Sequence, residues 1–393
     1  MTKGIPQLAT INDCTGCMAC VDTCPVHAIT SYRGDDGHLY VSIDKNTCVG
    51  CLKCEKVCHN RLNYKGDNRL EQSRPFAAWA KDNALRSKST SGGVFAAMAT
   101  KILSEGGVVV GAAFDGRHAK HILIDRIEQL NQLQGSKYVQ SNTEGIYLQI
   151  AEHLAQHKVL FSGVGCQVAA VLSYFSNHPN KNNLYTIDLI CGGVPSDVLM
   201  EKYFATKPSL EAITSFRTKR KYELKGKVNG EEQPLGKRAL PLAGFAAELT
   251  NRFSCYHCQF AFAHRQSDIT IGDLWGEVEF AEERENGISL VIAHNERGEA
   301  LLKESDVKYT PIEWKSFLFR NARLVIGETP MTLLRKRLER NIKQMSDGLF
   351  VEAYTSTATP KHPFLFLGRF YRKFKRKMVR RKNKSIISKL LTQ

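Results

Sequence analysis

Apolar residues in the middle of the chain recur with two different periods. From Ser91 to Leu103 they follow helical spacing, and the run from Gly106 to Phe114 predicts the strand that follows this helix. Shorter apolar runs predict strands at Val159–Phe161, Leu184–Ile190, Ile269–Ile271 and Ile288–Ala293. Helix-like runs separate several of these strands, which favours an α/β domain over an all-β one.

Two other stretches are polar. The segment from Lys65 to Ser73 is typical of a linker, and residues 215–240 are polar and basic, which predicts a hairpin or a mobile flap over a site. No run of 18 uninterrupted apolar residues occurs, so we expect no membrane-spanning helix. The N-terminal residues lack the apolar core of a secretory signal, so we expect a cytoplasmic protein.

Composition narrows the class of protein further. Of the 393 residues, 42% are hydrophobic and 24% are charged, which excludes a mostly disordered chain and predicts two or three domains. The chain contains twelve cysteines. In a protein without an export signal, cysteines in this number indicate metal ligands rather than disulfides.

The first eight cysteines form two copies of one spacing, C-x2-C-x2-C-x3-C. Pro25 follows the first copy, whereas His59 follows the second in the place of the usual proline. This spacing is typical of two-cluster ferredoxins, in which the fourth cysteine of each run binds the other cluster. It therefore predicts two [4Fe–4S] clusters, one held by Cys14, Cys17, Cys20 and Cys58 and the other by Cys48, Cys51, Cys54 and Cys24. The alternative is a pair of zinc knuckles, which rarely use four evenly stepped cysteines.

The remaining four cysteines are far apart in sequence. Cys166 and Cys191 each follow an apolar strand-like run, and Cys255 and Cys258 form a C-x2-C pair. Four is the number of ligands that a third [4Fe–4S] cluster needs. The residues alone leave a second interpretation open, namely two buried thiols together with a zinc-binding or redox-active pair.

At these cysteines the sequence resembles the beta subunits of coenzyme F-420 (deazaflavin) hydrogenases and dehydrogenases. The resemblance runs from about residue 75 to 325 in five ordered motifs. They are Ser89–Phe95 (STSGGVF), Gly135–Ser141 (GSKYVQS), Gly165–Gln167 (GCQ), Cys191–Ser196 (CGGVPS), and Cys255–Cys258 (CYHC) followed by Asp268–Gly276 (DITIGDLWG). One departure is Gly165, which stands where the family commonly has the proline of Gly-Thr-Pro-Cys-Gln.

The resemblance implies a flavin, usually FAD, beside a [4Fe–4S] cluster held by the four central cysteines. It also implies that Asp268, Asp273 and Trp275 orient the ligand loop. The flavin residues that it implies are Ser91, Gly92, Gly93, Gly135, Ser136, Lys137 and Tyr138. From the residues alone, Ser91 could equally be a helix N-cap, and Gly135–Tyr138 could be a surface loop. No proton donor is predicted, and Arg217, Lys219 and His257 are only candidates.

Basic residues are concentrated at the C-terminus. The net charge is +16, and Gly368–Gln393 holds eleven Lys and Arg residues with no Asp or Glu. Apolar residues recur near helical spacing among these cations, at Phe370, Phe374, Met378, Ile386 and Leu390. The pattern predicts an interfacial helix attracted to anionic lipid on the inner face of a membrane. The alternatives are a solvated end and a nucleic-acid contact, although we expect no nucleic-acid function.

The predicted organisation has four parts. Residues 1–72 form an α+β ferredoxin-like two-cluster domain; residues 73–155 and 156–330 form the N- and C-terminal parts of an α/β flavin- and iron–sulfur-binding domain; and residues 331–393 form a helical, basic tail. The predicted function is an oxidoreductase that passes electrons between a reduced carrier (deazaflavin coenzyme or ferredoxin) and a second substrate. The alternative is an electron-transfer subunit that serves a separate catalytic partner, with surface-polysaccharide biosynthesis as one setting.

Overall fold

The fold is given by a computed structural model of the 393-residue chain. It describes residues 4–61, 71–219, 222–236, 250–275 and 279–324, together with residues 241–242, 245 and 248 and parts of 370–392. The predicted linker at Lys65–Ser73 lies mostly outside these ranges. Its last residue, Ser73, is buried and hydrogen-bonds His294 Nδ1 at 2.9 Å, so the chain is already packed into the next domain there.

The N-terminal cysteine-rich part folds as two copies of one small unit. Each copy has a short helix, α1 (Ala19–Asp22) or α2 (Lys53–Val57), and the hairpin of β1 (Ile29–Arg33) and β2 (Leu39–Ile43) lies between the copies in sequence. The loop before α1 has left-handed backbone at Gly16 and Met18, with φ of 68° and 54°. The loop before α2 repeats this at Gly50 and Leu52, with φ of 68° and 58°. The two C-x2-C-x2-C runs therefore have the same backbone shape.

The central domain is built on one mixed sheet of nine described strands. The strands are β3 (Arg74–Ala80), β4 (Val108–Phe114), β5 (Ala119–Ile124), β6 (Ser141–Asn142), β7 (Val159–Val164), β8 (Leu184–Leu189), β12 (Ile269–Asp273), β13 (Ser289–Ala293) and β14 (Val307–Pro311). Their order across the sheet is β14-β3-β13-β12-β8-β7-β4-β5-β6. In its centre, β12, β8, β7 and β4 are mutually parallel, and antiparallel neighbours flank them.

Helices cover both faces of this sheet. They are α3 (Asn83–Lys88), α4 (Val94–Ser104), α5 (Ile146–Leu154), α6 (Gly165–Tyr174) and α8 (Glu296–Glu304). Helix α7 (Val198–Ala205) lies on a second, smaller sheet. On β4, Val109 belongs to the core under α4 and α8, whereas Val108 and Val110 belong to the core under α5 and α6. Alternate residues thus point into two different cores, as strand geometry requires. The predicted α/β architecture with helices between strands is confirmed.

The helix predicted at Ser91–Leu103 begins later than expected. It starts at Val94, because its N-cap residue Gly93 has left-handed backbone with a φ of 79°, which interrupts the helix there. The short helix α3 precedes it and was not predicted. The strands predicted from apolar runs are all present, with ends that differ by one to three residues.

The polar segment 215–240 contains the hairpin that its composition predicts. Strands β9 (Leu210–Arg217), β10 (Tyr222–Val228) and β11 (Glu231–Pro234) form a separate antiparallel sheet. Residues 220–221 and 237–240 lie outside the described ranges. Helix α7 packs on this sheet, with Leu199, Tyr203 and Phe204 in one core with Ile213 and Phe216.

Near the C-terminus, α9 (Trp314–Phe317) contacts α10 (Lys384–Leu391). Ile387 of α10 is buried in one cluster with Trp314, Phe317 and Leu318. The backbone of Phe370, Phe374 and Met378 is helical, and their side chains are exposed. The side chains of Ile386 and Leu390, which the sequence pattern also assigned to the apolar stripe, are not among those described.

The ferredoxin-like part packs directly on α5 of the central domain. Asp22 accepts hydrogen bonds from the Gly145 and Tyr147 main-chain N–H groups at 2.8 and 3.2 Å, so this carboxylate caps the N-terminus of α5. The Cys17 carbonyl accepts from the hydroxyls of Thr143 and Tyr147 at 2.8 and 2.5 Å. These contacts hold the first cysteine run against the central sheet.

Candidate functional site

The carboxyl ends of the parallel strands bring chemically active residues to one edge of the sheet. Cys166 lies two residues beyond β7, Cys191 lies two residues beyond β8, and Asp273 ends β12. In open α/β sheets this edge is where ligands bind. The fold therefore gathers residues that are 25 to 107 positions apart in sequence.

A cavity of about 510 Å³ opens at this edge. This volume lies in the range of small-molecule and cofactor sites. Its wall combines the N-terminus of α4, the 133–141 loop, the ends of β7, β8 and β12, and the aromatic residues Tyr138, Tyr222 and Phe245. Of the predicted flavin residues, the ones that line the cavity are Ser91, Gly93, Gly135, Ser136, Lys137 and Tyr138.

Gly92 is the exception among the predicted flavin residues. Its amide donates to Ser289 Oγ at 3.0 Å, and a Cβ atom there would come within 2.6 Å of the Ala78 carbonyl. Gly92 thus permits the loop to pack closely on β3 and β13. Ser91 donates to the Ile288 carbonyl at 2.9 Å and makes no capping bond, so the N-cap interpretation of Ser91 is wrong.

Lys137 is directed at main-chain carbonyls. Its Nζ donates to Leu133 O and Gln134 O, each at 2.8 Å, and burial lowers the pKa of its ammonium group to about 7. Burial disfavours the charged form because the ion loses its hydration. The side chain closes the loop against the end of the 3-10 helix Ile127–Gln132 and adds a titratable amine to the cavity wall.

Tyr138 forms the aromatic side of the cavity. Its ring lies 4.5 Å from that of Phe245 and 5.7 Å from that of Tyr222, measured between centroids. Burial raises the pKa of its phenol, so the ring stays neutral. An aromatic wall of this kind suits a planar ring ligand, since offset and tilted stacking are favourable.

Arg217 places a paired cation in the cavity wall. Its guanidinium donates to Asp273 Oδ2 at 2.6 Å and to Asp273 Oδ1 at 3.3 Å, and its side chain is 6% exposed. The carboxylate beside it raises the pKa of the guanidinium against the opposing effect of burial. The fork-shaped contact is directional, so Arg217 and Asp273 fix each other's orientation.

The other two candidate proton donors lie elsewhere. Lys219 Nζ donates to the carbonyls of Arg86 and Asn286, each at 2.7 Å. His257 Nε2 lies 3.2 Å from Asp13 Oδ1 in an exposed pair. Of the three candidates, Arg217 is the one in the cavity wall.

The structure brings the four central cysteines together. The thiols of Cys258, Cys255 and Cys191 all contribute to raising the pKa of the Cys166 thiol, after burial, which is the largest cause. Main-chain amides donate to two of the sulfurs, from Gly193 to Cys191 Sγ at 3.3 Å and from Val194 to Cys255 Sγ at 3.4 Å. Such N–H to sulfur bonds are among the groups that tune iron–sulfur clusters.

The N-terminal cysteines group in the crossed arrangement that the spacing predicts. Burial raises the pKa of the Cys17 thiol to about 12, and Cys14 and Cys58 add to the shift. Around Cys54, whose pKa burial raises to about 11, the contributing thiols are those of Cys51 and Cys24. Cys58 therefore lies near Cys14 and Cys17, Cys24 lies near Cys54, and Ala28 N–H donates to Cys24 Sγ at 3.2 Å. The two complete ligand sets stay a prediction.

All twelve cysteines are free thiols. Within the described ranges, no three His, Cys, Asp or Glu side chains converge as the ligands of a single metal ion would. Cysteine binds a metal as the thiolate, and a positive centre such as iron favours ionisation of the thiols whose pKa is raised by burial. The residues of all three cysteine sets fit iron–sulfur ligation in number and in surroundings, and their ligation stays a prediction.

A buried ion pair and a partly buried one support the loops of the central cysteines, and no sequence pattern pointed to them. Arg265 donates to Asp188 Oδ2 at 2.8 Å, and both side chains are 2% exposed. Arg323 donates to the Gly192 carbonyl at 2.6 Å and to Glu248 Oε1 at 3.2 Å. Both cations also act electrostatically on the Cys191 thiol.

Asp268 directly precedes the first residue of β12. It accepts from the main-chain N–H and hydroxyl of Thr186 at 2.8 and 2.9 Å and from Asn295 Nδ2 at 2.8 Å, so it joins the start of β12 to β8. The expectation that Asp268 orients the ligand loop stays a prediction. Asp273 and Trp275 do line the cavity.

Comparison with known proteins matches three parts of the chain. Two models cover the two halves of the family described as "Coenzyme F420 hydrogenase/dehydrogenase, beta subunit". The N-terminal model matches residues 75–146, and the C-terminal model matches residues 156–313. Residues 13–61, which include all eight N-terminal cysteines, match "4Fe-4S dicluster domain".

Two curated relatives are similar in sequence. The F subunit of F(420)H(2) dehydrogenase from Methanosarcina mazei is 24% identical over 289 residues, which are 70% of this chain and 79% of that protein. The IorA subunit of indolepyruvate oxidoreductase from Archaeoglobus fulgidus is 49% identical over 49 residues, 12% of this chain and 7% of that protein. Among solved structures, a chain of the F420-reducing [NiFe] hydrogenase complex from Methanosarcina barkeri has a TM-score of 0.46 and 18% identity, covering 74% of this chain and 95% of that one.

The fold, the cysteine sets and the family matches define an iron–sulfur electron-transfer protein with a two-cluster ferredoxin-like N-terminus. The chain belongs to the coenzyme F420 hydrogenase/dehydrogenase beta-subunit family. The resemblance predicted from the sequence motifs is confirmed.

Proposed function

We propose that the chain is a flavin- and iron–sulfur-containing oxidoreductase that moves electrons between a reduced carrier, deazaflavin coenzyme or ferredoxin, and a second substrate. The observation that carries this proposal is the position of Cys166. This half-buried thiol lines the cavity, and it is close enough to Cys17 for the two thiols to interact electrostatically. One residue thus adjoins the cavity, the central cysteines and the ferredoxin-like part.

A bound flavin exchanges electrons in pairs and each [4Fe–4S] cluster exchanges one at a time, so together they connect a two-electron donor to a one-electron route. In this proposal FAD occupies the cavity, the central cysteines hold a third cluster, and the two crossed N-terminal sets hold the other two. The domain division at residues 72, 155 and 330 is part of the same proposal.

The cavity offers each portion of FAD a suitable partner. The amides at the start of α4 face an anion favourably, because the N-terminal amides of a helix have no intrahelical acceptors. Val94, Phe95 and Ala96 of this first turn line the cavity. The wall of Tyr138, Tyr222 and Phe245 suits the ring system, and Arg217 supplies a fixed cation.

Replacing Arg217 by Gln is expected to weaken flavin binding at least tenfold. The change removes the buried cation and leaves Asp273 without its partner, which for buried pairs costs about 3–5 kcal/mol. Bound flavin after gel filtration and its titrated Kd measure the effect, and iron content should not change. Arg297, which binds the carbonyls of Asn182 and Leu184, provides the control Arg297→Gln. Equal flavin affinity in Arg217→Gln and the parent chain would exclude Arg217 from the site.

A second candidate function is an electron-transfer subunit serving a separate catalytic partner. Cys51 is exposed, and its neighbours Val49 and Leu52 are 48% and 37% exposed. The second cysteine set therefore lies at the surface, where a partner could exchange electrons with it. The name of the M. mazei relative, which is one subunit of a dehydrogenase, also favours this candidate. Full turnover by the purified chain with the reduced carrier and an artificial acceptor would support the oxidoreductase instead.

We also propose that the C-terminal tail binds an anionic membrane surface. Phe370, Phe374 and Met378 are exposed by 70%, 57% and 44% and recur at every fourth residue. Eleven cations accompany them in Gly368–Gln393. Among the helices that the structure describes, none has both the length and the apolar character needed to cross a bilayer.

Serine at all three of these positions is expected to reduce binding to phosphatidylserine-containing vesicles at least tenfold. Burying one large apolar side chain contributes about 1.5–3 kcal/mol, so three substitutions remove most of the apolar term. Co-sedimentation measures binding, and added salt should weaken it in the parent chain. Leu148→Ser, at a 47% exposed position on α5, serves as the control. Unchanged binding of the triple variant would show that the tail is not the anchor.

A further inference from the structure

Arg252 is a buried arginine that forms no ion pair among the described residues; the carboxyl of Asp36 lies nearby but is hydrogen-bonded to the Tyr40 hydroxyl at 2.8 Å. It is 1% exposed, and its Nη2 atom has no hydrogen-bond partner among the described residues. Its Nε donates to the Cys14 carbonyl at 2.6 Å, and its Nη1 lies 3.5 Å from Gln140 Oε1. By contrast, the buried Arg217 and Arg265 each face an aspartate. A buried cation is costly unless an anion compensates it.

The position of Arg252 indicates which anion that is. A Cβ atom on Gly16 would lie 2.7 Å from Arg252 Nη1, so the guanidinium rests against the loop that joins Cys14 to Cys17. It also lies over the Tyr40 ring, 4.3 Å from the centroid. The Tyr40 hydroxyl in turn interacts electrostatically with both Arg252 and Cys14. The cation thus faces the first cysteine set from inside the protein.

The main chain of Arg252 belongs to the central site. Its N–H donates to the Val194 carbonyl at 2.9 Å, three residues after Cys191, and its carbonyl accepts from Cys255 N–H at 3.0 Å. One residue therefore joins the loops of the central cysteines to the loop of the first N-terminal set. His59 borders the same junction, with its Nε2 3.0 Å from Thr15 Oγ1 and its ring 5.4 Å from that of Phe260.

We propose that Arg252 is the counter-charge of the cluster held by Cys14, Cys17, Cys20 and Cys58. The cation raises the reduction potential of that cluster. The cluster is therefore the first electron acceptor beyond the central site. This inference rests on the proposed iron–sulfur function. Arg252 is a positioning residue for electron transfer and does not touch a reacting atom.

Charge balance sets the direction of the effect. Four thiolates make the oxidised cluster anionic, and one electron from an external reductant adds one negative charge without making or breaking a bond. A buried cation beside the loop stabilises the more negative form, because Coulomb attraction is strong at low dielectric. No comparable buried arginine pairs with the second N-terminal set among the described residues, where Cys51 is exposed to water.

The test is an EPR-monitored redox titration of the anaerobically purified full chain, with dithionite and mediators. Arg252→Gln keeps an amide donor for the Cys14 carbonyl but removes the charge. Arg252→Lys keeps the charge. We expect Arg252→Gln to lower the equilibrium constant for reducing the first cluster at least tenfold, about 59 mV for one electron. Arg252→Lys should shift the reduction potential of the first cluster by less than half as much. The reduction potential of the second cluster should not change in either variant.

Two further variants make the result decisive. A Cys51→Ser variant assigns the signals, since it alters only the second cluster. Arg33→Gln is the control for disturbing the domain contact, because Arg33 is an interface arginine already paired with Asp197. Equal potentials in the Arg252→Gln variant and the parent chain, equal shifts in Gln and Lys variants, or equal shifts of both clusters would each overturn the proposal.

Iron content separates the remaining outcomes. Loss of the first cluster in Arg252→Gln with retention in Arg252→Lys would support the counter-charge, since charge alone then decides occupancy. Loss in both variants would show a purely structural role and overturn the proposal. If the parent chain itself held no N-terminal clusters, the proposed function would fail as well, and this would be visible before any variant is titrated.

Discussion

A Cys166→Ala chain should still bind flavin and still be reduced at the flavin by its two-electron donor, while its N-terminal clusters stay oxidised on the timescale of turnover. The reason is the position of Cys166 between the cavity and Cys17. Losing this thiol removes one of four ligands from the central set and disrupts the one-electron route at that point. Stopped-flow absorbance follows flavin bleaching and cluster reduction separately, and we expect the second to slow by at least two orders of magnitude (~10²).

The control for this experiment lies on the same helix. Ser173 of α6 has a buried Oγ atom without a partner among the described residues, so Ser173→Ala disturbs the helix without touching a cysteine. It should reduce its N-terminal clusters at the parent rate. If Cys166→Ala did so too, the central cysteines would not be a relay, and Cys166 would be a structural thiol.

Replacing both Cys255 and Cys258 by alanine is expected to remove about a third of the iron, because one of three clusters loses half its ligands. The eight N-terminal cysteines lie on their own pair of repeated loops and include neither Cys255 nor Cys258, so their EPR signals should persist. Iron and acid-labile sulfide assays, normalised to protein, give the stoichiometry of each chain.

His257 lies between the two cysteines and provides a matched control. Its ring faces Asp13 in an exposed pair, and His257→Ala leaves both thiols in place. We expect this variant to keep all its iron. A double cysteine variant with the full iron content of the parent would contradict the third cluster.

Much of the fold could be predicted because apolar runs were clear. Each strand inferred from such a run is present, since a strand buried on both faces is apolar along its length. The boundary of α4 could not be predicted, because the left-handed backbone of Gly93 depends on how Gly92 packs against β13. Helix α3 was missed because only Ala84 and Leu85 of its six residues are apolar, too few to show a helical period, and its N-cap, Asp82, is a common surface residue.

The site was predictable where spacing carried the chemistry. The crossed ligand sets are predicted from a local repeat, and Cys58 and Cys24 each lie near cysteines of the other run, as that prediction requires. Arg252 was not predictable. It acts through contacts with residues far away in sequence, such as Cys14. A single arginine in one sequence gives no sign of such partners.

Lys137 lies in the cavity wall as the motif predicts, but its contacts give it a role that the sequence does not predict. The motif placed it in the cavity wall, where the structure also has it. A sequence cannot show that its amine closes a loop by binding two carbonyls, because that depends on where the 3-10 helix Ile127–Gln132 ends.

A third cluster between the cavity and the ferredoxin-like part is tested most directly by the iron and acid-labile sulfide content of the anaerobically purified full chain. Three clusters predict about twelve irons and an equal amount of sulfide per chain, with a bound flavin in addition. About eight irons would mean that the N-terminal sets alone are loaded and that the central cysteines hold no cluster. Zinc in place of iron would contradict iron–sulfur ligation altogether.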